Sequence, residues 1–310
     1  MDAEKYLLIA SMNPSIDVTM HINAFVPGGT NRAHTVLEDA GGKGINVARA
    51  LKGLGAAGVI CTGFLWQEGS GLFYDALEKS GVKADFLTLP GSVRRNIKVF
   101  DAQKGEITEI NAASPLVSAQ ELLSAKERIV NLAKKARFVV LTGSLPKGAD
   151  ADFYEGVISA VDSPCALDAD GEALLCGVRA KPAVLKCNEK ELSVLHDGGT
   201  ALEKAKAVVD SGVSTVIASM GADGAILADA RGAWRALPVK LNVRSTVGAG
   251  DAMLSGYLAA VARGETGGDA LKYASACASA CVEGEGTCVP DMQSVCAYMD
   301  RIKIERMMEW

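Results

Sequence analysis

One carboxylate in this chain stands where a glycine turn opens into a helix. The stretch STVGAGDAMLSGYL, Ser245 to Leu258, carries Gly248, Ala249 and Gly250, then Asp251, then apolar residues at helical spacing. Met253, Leu254, Tyr257, Leu258 and Val261 share one helix face. Such a turn presents backbone N–H groups at the positive end of the helix dipole. Asp251 could cap the helix, which would be worth about 1 kcal/mol, although Ser245 and Thr246 could cap it too. It could equally be a general base beside an anion-binding turn. Phosphoryl transfer requires the protein mainly to position groups and stabilise charge while a carboxylate takes the attacking hydroxyl's proton. The stretch alone leaves both readings open.

A second glycine turn precedes a second helix in DAGGKGINVARALKGLG, Asp39 to Gly55. Gly41, Gly42 and Gly44 let the backbone approach a ligand and expose amides at a helix N-terminus, and Lys43 adds a positive charge. It is not a Walker A loop, because no Ser or Thr follows Lys43 and no glycine stands five residues before it. Three further polar turns follow apolar runs. They are LTGSLPKG with Ser144, KCNEKEL with Lys186, Asn188 and Glu191, and SMGADGAIL with Ser219, Gly221 and Gly224. Asn188 and Glu191 could orient a hydrated magnesium ion.

These turns need a scaffold that brings them together. Apolar runs at Tyr6–Ala10, Val59–Gly63, Phe138–Gly143, Cys165–Ala169, Val184–Cys187, Thr215–Ser219 and Ala225–Ala228 read as strands, mostly buried on both faces. Helical patterns lie between them, at Ile45–Leu54, Leu72–Ser80, Ala119–Ala136, Asp152–Val161 and Ala201–Ser211. The alternation predicts an α/β fold, a mainly parallel sheet sandwiched by helices. In such sheets ligands gather outside the strand C-termini, so the polar turns can share one cleft. Val239–Val243 reads as a further strand leading into the Asp251 turn. Two segments alternate polar and apolar residues instead, Asp17–Val36 with a Pro-Gly-Gly turn and Arg94–Ile110 with Lys104-Gly105. That period predicts a small β lid with one buried face, inserted at about 15–37 and 92–111 of a single domain spanning 1–310.

Composition narrows the classes. The 49% hydrophobic and 22% charged content fits a globular protein, and a net charge of −5 gives no reason to expect nucleic acid or an anionic membrane. No segment approaches the length of a signal or membrane span, so the expected home is the cytoplasm. The eight cysteines form no C-x-x-C and read as mostly buried reduced thiols. The three histidines, His21, His34 and His196, are scattered and suggest no metal cluster. No G-x-G-x-x-G lies between an early strand and helix, which argues against a dinucleotide enzyme.

Taken together, GGKGINVA and STVGAGDAM resemble the two signatures of the ribokinase-like, PfkB-type carbohydrate kinases, and they occur in the right order. NPSID, TEIN and GSLPKG are most similar to the family's phosphosugar branch. The resemblance implies a ribokinase-like fold and ATP-dependent phosphorylation of a phosphosugar with Mg2+, fructose 1-phosphate first and tagatose 6-phosphate or fructose 6-phosphate behind it. It implies Asp251 as the base, with Gly248, Ala249 and Gly250 as the turn that stabilises the moving phosphoryl group. Asp17, Gly42, Lys43, Asn46 and Ser144 match the sugar side, and Arg94 and Arg32 match cations for the phosphate already on the substrate. Lys186, Asn188 and Glu191 match the motif near the nucleotide phosphates and magnesium, and Ser219, Gly221 and Gly224 the nucleotide turn. A homodimer through the lid is also implied. Asp251 being present weighs against a non-catalytic sugar-binding regulator on the same fold. Cys187 stands where the family carries Pro, and Val93 where it carries Thr.

Overall fold

The structure is a computed structural model, and it describes residues 5–243, 245–284 and 289–308. Along the chain run β1 (Tyr6–Ser11), β2 (Ser15–Ile22), β3 (Thr35–Gly41), α1 (Lys43–Gly53), β4 (Val59–Glu68), α2 (Ser70–Lys79), β5 (Lys83–Ser92), β6 (Arg95–Asp101) and β7 (Glu106–Asn111). Next come α3 (Ala119–Ala133), β8 (Ala136–Thr142), α4 (Phe153–Ile158), β9 (Cys165–Asp168), α5 (Gly171–Arg179), β10 (Val184–Asn188), α6 (Glu189–Leu195), α7 (Ala201–Asp210) and β11 (Thr215–Ser219). The last described part holds β12 (Ala225–Asp229), β13 (Gly232–Ala236), α8 (Ala249–Ala262), α9 (Gly267–Val282), α10 (Met292–Met299) and β14 (Ile304–Met308).

Ten strands form one sheet in the order β14-β13-β12-β11-β10-β9-β8-β1-β4-β5. From β11 to β5 every pairing is parallel, while β12, β13 and β14 add an antiparallel edge. Central strands such as β1 and β8 are buried along nearly their whole length, which explains their unbroken apolar runs. Helix α8 is apolar nearly all round and buried from Asp251 to Ala260, packed against α1 and α9. The architecture is the α/β sandwich expected from the alternating pattern.

A second sheet of four strands has the order β3-β2-β6-β7. The Arg94–Ile110 segment supplies β6 and nearly all of β7, and Asp17–Val36 supplies most of β2, but β3 lies almost entirely beyond Val36. β7 is exposed throughout and β3 from Thr35 to Asp39, so the buried face expected of both segments is confined to β2 and β6. β2 and β3 pair antiparallel, β6 and β7 pair antiparallel around the Lys104-Gly105 turn, and β2 joins β6 in parallel.

Three features depart from the expected elements. Val239–Val243 forms no strand. Pro238 precedes it, and the Lys240 carbonyl accepts a hydrogen bond from the Arg301 guanidinium at 2.6 Å instead of joining a ladder. Strand β5 is not among the expected strands, because its Pro90-Gly91 and half-exposed residues read as a turn; an edge strand tolerates both. Strand β13, paired between β12 and β14, and the edge strand β14 are likewise additions to the expected set. Among the described cysteines, Cys61, Cys165, Cys176, Cys187 and Cys277 are buried and unbridged, Cys281 is buried, and Cys296 is exposed. Cys288 lies outside the described residues. Among the described residues no helix is long and apolar enough to cross a membrane.

Candidate active site

The parallel strands end in polar residues. Ser11 closes β1, Thr142 closes β8, Asp168 closes β9 and Asn188 closes β10, and register aligns neighbours at this edge. A cleft of about 520 Å³ opens there, walled on its other side by β2, β6 and β7 of the small sheet. Asp17, Gly42, Lys43, Asn46, Arg94, Ser144, Lys186, Asn188, Glu191, Gly248, Gly250 and Asp251 all line it. Residues far apart in sequence are thus brought to one place by the sheet's topology.

Asp251 lies in the first turn of α8, behind Gly248 at φ 82°. The N-cap position is held by Gly248, three residues earlier, so Asp251 is not the capping residue. Instead it accepts a hydrogen bond from Asn46 Nδ2 at 2.8 Å, across from α1. Residue burial is nearly complete, at 6% exposure. Burial, reinforced by the charge of Asp168, pushes the Asp251 carboxyl up to about 6, against the pull of the Asn46 bond, Lys186 and Lys43. The cap reading therefore falls away, and what remains is a buried carboxylate poised to hold or release a proton near neutral pH.

Two lysines face one carboxylate beside it. Lys43 Nζ donates to Asp168 Oδ1 at 2.8 Å, and Lys186 Nζ lies 3.2 Å from Asp168 Oδ2. Asp168 is fully buried. Burial opposes its charge, but Lys186 and Lys43 more than compensate and hold its carboxyl below the usual carboxylate range. Burial likewise works against the Lys43 ammonium, and Asp168 outweighs it, so Lys43 stays charged. Lys186 also lies against the glycine turn of α8. A Cβ on Gly250 would come within 2.5 Å of Lys186 Nζ, so the missing side chain is what admits the ammonium.

The small sheet supplies the opposite wall. Asp17 accepts from Ser15 Oγ at 3.0 Å and from Lys98 Nζ at 2.8 Å, and Asn96 donates to Ser15 Oγ. Asp17 and Lys98 are both buried, yet both line the cleft. Arg94 donates to the Asn13 carbonyl at 3.0 Å, while its buried Nε has no hydrogen-bond partner. Burial lowers its pKa without threatening its charge. Asn46 Oδ1 and Thr142 Oγ1 are also buried and without a hydrogen-bond partner. Buried polar atoms left open beside a cleft suit a polar ligand that completes them.

Asn188 and Glu191 do reach the cleft, and they also hold α6 together. Asn188 Oδ1 accepts from the Glu191 backbone N–H at 2.9 Å, and the Glu191 carboxylate accepts from the Asn188 N–H at 2.7 Å. Ala249 begins α8 between Gly248 and Gly250. Five expected residues, Ala249 among them, are not part of the cleft lining. Arg32 is exposed on the long loop between β2 and β3. Ser219 ends β11, one strand beyond Asn188, and Gly221 belongs to the adjacent 3-10 turn. Gly224 has a structural reason of its own, since a Cβ there would stand 2.1 Å from the Ala236 carbonyl oxygen. Cys187, beside Asn188 in sequence, is no candidate for thiol sensitivity, because its thiol is fully buried and pushed up to about 12 by that burial.

Two residues of the site are not evident from the sequence motifs. Asp168 ends the apolar run CALD just before the turn Ala169-Asp170-Gly171, the same strand-then-turn signal that marks Ser144. Lys98 lies two residues beyond Asn96 in an alternating strand, which puts both on the face toward Asp17.

Comparison with known proteins identifies the family. The model of the pfkB family of carbohydrate kinases matches residues 10–294. A 1-phosphofructokinase of Borreliella burgdorferi is 34% identical over 303 residues, covering 95% of this chain and 97% of that protein. One of Escherichia coli K12 is 31% identical over 307 residues, covering 95% and 96%. Among solved structures, phosphofructokinase-2 of Escherichia coli superposes with a TM-score of 0.89 at 24% identity, covering 96% of this chain and 99% of that one. Ribokinase of Thermotoga maritima does so with a TM-score of 0.79 at 20% identity, covering 96% and 100%. At those identities the superpositions speak for a ribokinase-like fold. The family match and the full-length relatives go further: this chain belongs to the pfkB family of carbohydrate kinases.

Proposed function

We propose that this protein transfers the γ-phosphoryl group of ATP to the C6 hydroxyl of fructose 1-phosphate, giving fructose 1,6-bisphosphate and ADP. The observation that carries the reading is a buried carboxylate with a raised pKa, Asp251, between the Gly248–Gly250 turn and a cleft furnished with cations. Full-length relatives that are 1-phosphofructokinases favour this sugar phosphate over the others.

In this reading Asp17, Asn46 and Ser144 hold sugar hydroxyls, Gly42 lets the ligand approach α1, and Asp251 takes the proton from C6–OH. The freed oxygen attacks the γ-phosphorus in line as the bond to ADP breaks. The amides of Gly248, Ala249 and Gly250, with Lys43 and Lys186, face the charge that accumulates on the phosphoryl oxygens. Arg94 and Lys98 balance the phosphate already at C1. Lys98 takes the place that the sequence suggested for Arg32, which stands off the cleft. Magnesium fits beside Glu191, whose carboxylate lines the cleft and spends one oxygen on the helix cap. The ion would neutralise nucleotide phosphate charge there, with Asn188 and Glu191 orienting its water shell. The adenine side would extend toward Ser219, Gly221 and Gly224, one strand along.

A homodimer through the lid belongs to the same proposal. Val36 and Leu37 of β3 and Ile107 and Ile110 of β7 are each more than two-fifths exposed, and a second copy of the small sheet would cover such surface. The cytoplasm suits a protein in which Cys61, Cys165, Cys176, Cys187 and Cys277, among the described residues, are buried and unbridged.

Two substitutions probe this site directly. Asn46→Leu removes the hydrogen bond that favours the Asp251 carboxylate, so the Asp251 pKa should rise further. A base must be deprotonated to work, so the acid limb of kcat/KM should move to higher pH; a limb left in place would mean that Asn46 does not tune Asp251. Lys98→Met should raise KM for fructose 1-phosphate by roughly tenfold or more, as expected for loss of a charge-assisted contact, with a smaller change in KM for ATP. Equal changes in the two constants would remove Lys98 from the sugar-phosphate side.

A coupled ADP-release assay across fructose 1-phosphate, tagatose 6-phosphate and fructose 6-phosphate tests the assignment. The highest kcat/KM should belong to fructose 1-phosphate. Turnover of an unphosphorylated sugar or a nucleoside in preference to all three would overturn the phosphosugar reading.

A further inference from the structure

Among the described residues Asp168 is the one fully buried charged residue beside the cleft, and the roles proposed above leave it unassigned. It ends β9, the strand between β8 and β10 at the centre of the carboxyl edge. Its two oxygens face two different lysines from two different parts of the chain, Lys43 from the first turn of α1 and Lys186 from β10. Lys43 opens α1, whose N-terminal turn faces the acceptor side in this scheme. Lys186 comes from the strand that leads to Asn188 and Glu191, and its ammonium lies against Gly250. One carboxylate therefore joins the acceptor-side cation to the donor-side cation. The two ammonium groups can be no further apart than the contacts of 2.8 and 3.2 Å and the width of a carboxylate allow. In a buried setting two such charges repel strongly unless an anion lies between them.

We propose that Asp168 is a positioning residue that clamps Lys43 and Lys186 side by side at the boundary between the two subsites, so that both ammonium groups meet the phosphoryl group in transit. The proposal rests on the kinase reading above. Asp168 contacts no reacting atom in this scheme and acts through the lysines. Its charge also reaches Asp251, which in addition faces Asn46 and Lys43 from α1 and Lys186 from β10.

Asp168→Asn keeps the shape and removes the charge. With fructose 1-phosphate and ATP its kcat should fall on the order of tenfold to a hundredfold, the range of couplings within one charged network, and KM should rise for both substrates together. The acid limb of kcat/KM should move to lower pH, because one of the charges that raises the Asp251 pKa is gone. A merely structural role would lower Tm without moving that limb downward. In a Lys186→Met background the further loss caused by Asp168→Asn should shrink to less than about fivefold, since residues that act as a unit are non-additive. Equal multiplicative losses in both backgrounds, or kcat and both KM values within about twofold of the unmutated enzyme, would overturn the clamp. Should Asp168→Asn alone not fold, Asp168→Asn with Lys186→Met removes one charge of each sign. It should then match Lys186→Met in kcat/KM, and a further loss beyond about fivefold would overturn the proposal. The unmutated protein is assayed alongside. If it fails to turn over any of the sugar phosphates, the kinase reading itself falls, whereas an active parent with an indifferent Asp168 variant sinks only the clamp.

Discussion

Asp251→Asn should lower kcat with fructose 1-phosphate by about a thousandfold or more, within the range a positioned general base contributes, while leaving sugar-phosphate binding largely intact. The amide is nearly the same size as the carboxyl and can still accept the Asn46 hydrogen bond. It can fill the space, but it cannot take a proton from a hydroxyl, and so binding survives where turnover does not. The pH dependence gives a second signature. Burial lifts the Asp251 carboxyl to about 6, so kcat/KM of the unmutated enzyme should decline as pH falls through that value and the base becomes protonated. The variant's residual activity should lack that limb. Stability should change in the opposite sense. Holding a charge in this buried position costs folding free energy above the raised pKa, so at pH 7–8 the neutral Asn variant should melt no lower than its parent. Steady-state kinetics from pH 5 to 9, with thermal melts on the same samples, checks all three. Turnover close to that of the parent would remove Asp251 from the base role.

Gly250→Ala should be nearly as damaging to turnover and harmless to the fold. A Cβ at this position would stand 2.5 Å from Lys186 Nζ and 3.1 Å from its Cε. What has to yield is the flexible end of the lysine, not backbone. Gly250 lies in the first turn of α8 with an ordinary φ, where Ala is a better helix former than Gly by up to about 1 kcal/mol. Stability should therefore hold or rise while Lys186 is pushed off the turn. Losing one charge-stabilising group from such a turn lowers kcat by about a hundredfold or more. Differential scanning calorimetry beside kcat measurement separates the two effects. A variant that loses stability and activity in step would mean that Gly250 matters for the backbone and not for Lys186.

The contrast between these residues and others explains what could be read in advance. Asp251, Lys43 and Ser144 announce themselves because each interrupts a glycine turn at a strand or helix end, and the sheet then gathers such turns at its carboxyl edge. The small sheet is legible because period-two alternation in 94–110 and the Lys104-Gly105 turn leave few other options. Asp168 is not, since a lone carboxylate inside the expected strand Cys165–Ala169 signals no partner until Lys43 and Lys186 are seen to converge on it from both sides. Lys98 is hidden for a similar reason: its partner Asp17 is 81 residues away in sequence, and only the parallel β2–β6 register joins them. Arg32 errs in the other direction. Its position after a Pro-Gly turn is a motif property, but the loop between β2 and β3 carries it away from the cleft. Strands β5, β13 and β14 escape because they are short, half-exposed or broken by proline, so the pairing that defines them is tertiary.

In the proposed reaction Asp251 acts on one hydroxyl of one sugar phosphate. Phosphorus NMR of the product formed from fructose 1-phosphate and ATP tests this most directly. The original C1 phosphate resonance should persist while a second monoester signal appears at C6, in step with ADP. With Asp251→Asn neither the new signal nor ADP should appear over the same time. Formation of ADP without a C6 phosphate, or a new phosphate only when fructose 1-phosphate is replaced by another sugar, would contradict the proposed reaction.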